Sequence, residues 1–153
     1  MPAKNAASKH EPWYVEERLH ALAVVHLTRR NDLTLVKAPD SSGLDFIVEI
    51  HEHGRLTGQR FGVQLLPLSD ERRPRKVPVV SDVPFPVCVL FFDVASEHAM
   101  YAWAREPVVT DQGDARLVDH SAQEAGELTR AAIDQIVAQV NRWYGALLEN
   151  LAG

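Results

Sequence analysis

Residues 87–94 read VCVLFFDV, with seven of eight positions apolar. A run of this length, rich in β-branched and aromatic side chains, predicts a central strand covered on both faces. Such a strand needs neighbours on either side and packed layers above and below it. The flanking sequence supplies them. Downstream, 98–104 alternates Tyr101 and Trp103 against Met100 and Ala102, the period of a strand with two distinct faces. Upstream, 33–37 (LTLVK), 44–51 (LDFIVEIH) and 61–66 (FGVQLL) are further strand-like runs. Pro39 to Gly43 is turn chemistry, and 53–58, with Gly54 and Gly58, is expected to connect two strands as a hairpin. The polar, proline-rich stretch 69–84 reads as mostly loop.

Helical patterns stand at both ends. From Pro12 to about Arg30, Val15, Leu19, Leu22, Ala23 and His26 recur at three- and four-residue spacing. Pro12 suits a first turn, and Glu16 and Glu17 complement the positive end of the helix. The last element is a long helix with the stripe Ile133, Ile136, Val137, Val140, Tyr144, Leu147 and Leu148. Ser121 and Glu124 read as its capping box. The expected fold is therefore α/β: a mixed central sheet of four to five strands flanked by an N-terminal helix and a long C-terminal helix. Residues 11–153 form one domain in this reading, after a loose tail at 1–10.

Bulk properties narrow the class. At 153 residues the chain can bury a core without staples, and its 46% hydrophobic and 24% charged content is that of a soluble globular domain. Cys88 is the single cysteine, so no disulfide forms within the chain; in an apolar run it reads as a buried, inert thiol in a reducing compartment. The first ten residues do not read as a secretory signal, and no apolar stretch reaches the roughly 18 residues of a membrane span. The expectation is a cytoplasmic protein with no membrane contact. A net charge of −5 argues against tight nonspecific binding of nucleic acid, which calls for a basic face.

One constellation carries chemistry: Gly43-Leu44-Asp45 and, one hairpin later, Val63-Gln64-Leu65-Leu66. A carboxylate at the start of one strand and a polar residue on its antiparallel neighbour can face one point and hold a divalent metal through oxygen. A lysine two residues after the second ligand would share that face and stabilise charge on a phosphate. Simpler accounts stand beside this one. Asp45 suits a turn backbone, Gln64 a hydrogen bond within the core, and Glu16 and Glu17 a solvated first turn.

The arrangement resembles the PD-(D/E)XK nuclease superfamily, and within it a bacterial family of unknown function that pairs G-[IL]-D with V-Q-x-K. Gly43-Leu44-Asp45, Val63-Gln64, Pro86-Val87 through Asp93, and Tyr101-Ala102-Trp103 match its motifs in order, over residues 13–105. The resemblance implies a restriction-endonuclease-like fold, with Asp45 and Gln64 as catalytic and metal-ligating residues and Glu16 or Glu17 as the helix carboxylate. It also places Leu66 where the family has lysine. Losing one such preorganised donor costs a factor of about 10²–10³ in rate, and a neutral Gln64 weakens Mg²⁺ binding.

The expectation is thus a catalytically degenerate nuclease-fold protein that acts by binding a protein partner or nucleic acid, with bacterial defence the setting implied by the family. It needs no cofactor, or Mg²⁺ if the site is active. The alternatives are a Mg²⁺-dependent DNA endonuclease and a structural, oligomerising protein. Arg72, Arg73, Arg75 and Lys76 form the one dense basic cluster, a place for phosphate contact or simply a solvated loop. His51 and His53 share a strand face without an evident third ligand. The aromatic end of the last helix, Trp143, Tyr144, Leu147 and Leu148, is where a protein partner or a second copy would dock if it stays exposed.

Overall fold

The computed structural model describes residues 13–68, 75–76 and 82–152; of Trp13, Arg75, Lys76, Ala122, Gln123 and Ala152 it describes the backbone alone. In chain order the elements are α1 (Trp13–Leu27), β1 (Leu33–Lys37), a 3-10 turn (Asp40–Ser42), β2 (Phe46–Glu52), β3 (Arg55–Pro67), β4 (Arg75–Lys76), β5 (Val87–Phe92), β6 (Ala99–Val109), β7 (Ala115–Asp119), β8 (Ala122–Gln123), β9 (Gly126–Glu127) and α2 (Arg130–Ala152). The main sheet runs β1-β2-β3-β5-β6-β7, and β9 adds to β6. All its pairs are antiparallel except β3 with β5. The expected α/β class with a mixed sheet and a helix at each end is correct. The sheet is wider than the four to five strands expected.

β5 lies inside this sheet and is buried at every position. Cys88, Leu90 and Phe92 meet Leu19, Leu22, Ala23 and Leu27 of α1 and Ile133, Ile136, Val137 and Val140 of α2 in one cluster. Val87, Val89 and Phe91 face the other way, against Val83, Phe85, Leu44 and Ala38. Both helices therefore pack on one face, and the turn after β1 and the segment before β5 cover the second. That double cover explains an uninterrupted apolar run. Burial pushes the Cys88 thiol well above its usual range, as an inert core thiol requires.

Three local expectations need correction. The β2–β3 turn is confined to His53 and Gly54, both with positive φ (53° and 77°), so residues 55–58 belong to β3. Two left-handed residues match the twist of paired strands, and this favours a two-residue connection over the longer loop expected. Within the stretch read as loop, Arg75 and Lys76 pair with Ala122 and Gln123. The Ser121–Glu124 capping box does not form, because two short strands, at 122–123 and 126–127, precede a helix that begins only at Arg130. Gly126 lies against the Tyr101 ring, where a Cβ would come within 3.3 Å of Cε1, and Leu128 is anchored in the core. The helix starts after that anchor, with Thr129 accepting the Ala132 amide on its hydroxyl at 3.1 Å.

His26, near the end of α1, stacks at 5.3 Å on Phe92. Burial holds its imidazole below the ordinary value; Arg29 adds to this and Glu97 opposes it. The unfolded chain takes up that proton near pH 6.5, the native chain only lower. Between the two values the unfolded state binds more protons, so stability falls as pH is lowered through that window. Melting curves from pH 7 to pH 5 should show this fall, and His26→Gln should flatten it. Equal slopes in the two proteins would refute the assignment.

Candidate functional site

α1 crosses the sheet where β3 runs on past the start of β2. The pairing of β2 with β3 ends at Phe46↔Val63, so the Leu65 amide has no strand partner on that side. Asp45 supplies one: its Oδ2 accepts from Leu65 N–H at 2.7 Å. This fixes the carboxylate and leaves Oδ1 directed under the helix, 3.5 Å from His20 Nε2. The His20 ring is set against Phe46, with centroids 5.0 Å apart. Glu16 is one turn earlier on the same helical face, because i and i+4 side chains are neighbours.

Ligand atoms of Glu16, His20 and Asp45 all lie within 4.8 Å of one another. They line a cleft of about 190 Å³ together with Val15, Leu19 and Leu65. Glu16 is exposed at its mouth, and His20 and Asp45 are half-buried. His20 Nε2 is itself closed off from water and has no hydrogen-bond partner among the described residues; at 3.5 Å the contact with Asp45 is proximity without a hydrogen bond. Two carboxylates and an imidazole that converge this way can bind a divalent cation.

Asp45 and Glu16 reach the cleft, which decides between Glu16 and Glu17: Glu17 is exposed and outside the cluster. Gln64 does not line the cleft. It takes the face shared by Gly62 and Leu66, away from the helices, and its Nε2 donates to the Gly43 carbonyl at 2.9 Å. Its Oε1 is buried without a partner among the described residues. Asp45 and Gln64, expected to act as one pair, are thus committed to different partners. Positions 64 and 66 share a face, as alternation demands, but Leu66 packs into the second apolar cluster.

His20 is the residue that sequence reading missed. Its signal is the spacing Glu16-x-x-x-His20, which one helical turn brings to a single face. His51 Nε2 bonds Thr34 Oγ1, and His53 is exposed at the hairpin tip. Arg72 and Arg73 lie outside the described residues, and Arg75 and Lys76 are described only as the backbone of β4. On α2, Trp143 is buried and stacks edge-on to Tyr144 at 4.8 Å, whose hydroxyl donates to the Arg60 carbonyl. Those aromatic rings are core. Leu148 and Leu151 are the exposed apolar residues at that end.

Fold and cleft together define an α/β domain with a surface cleft of cation-binding composition. No helix among the described residues is long and apolar enough to cross a membrane. Comparison with protein-family models, with curated proteins and with solved structures gives no match to this chain.

Proposed function

We propose that this chain is a nuclease-like domain that works by binding and does not hydrolyse phosphodiesters. The observation that carries the reading is the environment of Leu66. The position that the resemblance assigns to lysine holds an aliphatic side chain packed into apolar cover, on the sheet face opposite the Glu16–His20–Asp45 cleft. Nothing at that position can donate to a phosphate or offset its charge. Gln64, the second strand ligand in that resemblance, lies on that same opposite face, its Nε2 donating to the Gly43 carbonyl. The net charge of −5 favours a protein partner, or a second copy, over nucleic acid. Leu148 and Leu151, exposed on α2, are among the apolar side chains that could meet it.

Purified protein incubated with plasmid DNA and Mg²⁺ or Mn²⁺ tests this. The expected result is no cleavage beyond that of Asp45→Ala. Metal-dependent cleavage that Asp45→Ala abolishes would overturn it. Leu66→Lys is expected to remain inactive as well, because a lysine there projects from the wrong face of β3; cleavage gained by that variant would equally sink the reading.

One observation favours the endonuclease as a second reading: Glu16 and Asp45, the helix and strand carboxylates of the resemblance, do converge. The same assay separates the two.

A further inference from the structure

We propose that Glu16, His20 and Asp45 form a binding site for a borderline first-row dication of the Zn²⁺ type, with one nitrogen and two oxygen donors. The proposal deepens the binding-domain reading by naming what its cleft takes up. It departs from the all-oxygen Mg²⁺ site that the resemblance implies, since the third donor comes from α1 and is an imidazole.

Four observations carry it. The donor atoms are gathered within 4.8 Å of one another. Two ligands bound to Zn²⁺ at about 2.0–2.1 Å in tetrahedral geometry lie about 3.3 Å apart, close to the 3.5 Å between His20 Nε2 and Asp45 Oδ1. His20 Nε2 is buried with no hydrogen-bond partner among the described residues, although buried ring nitrogens are ordinarily satisfied. Asp45 is held for a single-oxygen role. The Leu65 amide occupies Oδ2, the kind of outer contact that orients a metal-bound carboxylate, and Oδ1 remains for the ion.

The donor set then selects the ion. Mg²⁺ demands near-octahedral oxygen coordination and keeps several waters, so a buried imidazole nitrogen gives it nothing. Imidazole beside carboxylates suits Zn²⁺ and its first-row neighbours. Three protein ligands leave a fourth position, as in zinc sites that keep one open. Glu16 is the exposed member of the set, and a partner's donor group that enters the cleft beside it would fill that position.

Calorimetric titration of the full chain with Zn²⁺ is the test, accompanied by thermal melts and by the visible spectrum of the Co²⁺-loaded protein. One Zn²⁺ per chain is expected, raising the melting temperature, while Mg²⁺ at far higher concentration leaves it unchanged. His20→Phe keeps a ring against Phe46 and removes the donor, and Glu16→Gln changes an exposed residue that the fold does not use. Each should weaken Zn²⁺ binding by more than the roughly 10–100-fold that loss of an outer contact costs, with the metal-free melt unaltered. The Co²⁺ bands should vanish in His20→Phe. Absent one-to-one binding, or binding equally tight in both variants, would overturn the site. If Zn²⁺ binds through His20 and the loaded protein cuts DNA, the site stands and the non-hydrolytic reading fails. If neither binding nor cleavage occurs, the site fails and that reading stands.

Discussion

Phe92→Ala is expected to lower the free energy of unfolding by about 3–5 kcal/mol. The side chain is fully buried at the end of β5, in the cluster that joins both helices to the sheet, and its ring contacts His26 of α1. β5 is paired on both sides, by β3 and by β6. The neighbours of Phe92 are therefore fixed and cannot collapse far into the space left behind. Cost rises with the residual cavity, so the upper part of the range applies. Against a total of about 5–15 kcal/mol for a domain, such a loss removes much of the stability. Urea unfolding should show the midpoint drop with an unchanged slope. The control is Leu151→Ala, at a residue 77% exposed, which should shift stability by no more than about 0.5 kcal/mol. A similar small shift for Phe92→Ala would show that β5 is not the centre of the core.

The second large effect is at Asp45, where two substitutions should separate two roles. Asp45→Ala strips the Leu65 amide of its acceptor at the point where β3 outruns β2. An unmet buried donor costs about 1–3 kcal/mol, and one of the three converging donors of the cleft disappears with it. Asp45→Asn keeps an oxygen for the Leu65 amide but removes the charge. It should melt within about 1 kcal/mol of the wild type and yet bind Zn²⁺ far more weakly. The two variants should thus agree on metal binding and differ in stability. Equal destabilisation by both would assign Asp45 a charge-dependent structural role in place of the backbone one.

Much of this architecture was legible before any coordinates. VCVLFFDV announced a doubly covered strand, a short β-branched run ahead of a turn marked β1, and period placed Ile133, Ile136, Val137 and Val140 on the buried face of α2, although Leu148 of the expected stripe is exposed. What failed were readings of local grammar that nonlocal contacts override. Ser121-x-x-Glu124 satisfies the capping-box pattern, but Leu128 in the core and Gly126 against Tyr101 hold that stretch extended. β7, β8 and β9 are short, and β7 and β9 are mostly exposed, with little apolar alternation to betray them.

The candidate site divides along the same line. The sequence by itself determined the residue types, the period that puts Gln64 and Leu66 on one face, and the absence of lysine at 66. It also contained Glu16 and His20 at a spacing that one helical turn brings together. Only the tertiary structure decided which face the cleft occupies, because that depends on where α1 crosses the sheet. The crossing brings His20 to Asp45 and leaves Glu17 in solvent. The Asp45 carboxylate departs from strand alternation because an unpaired amide on β3 claims one of its oxygens. Period-two reasoning holds while a ladder continues. At the end of a ladder, unsatisfied backbone groups set the direction of the side chain.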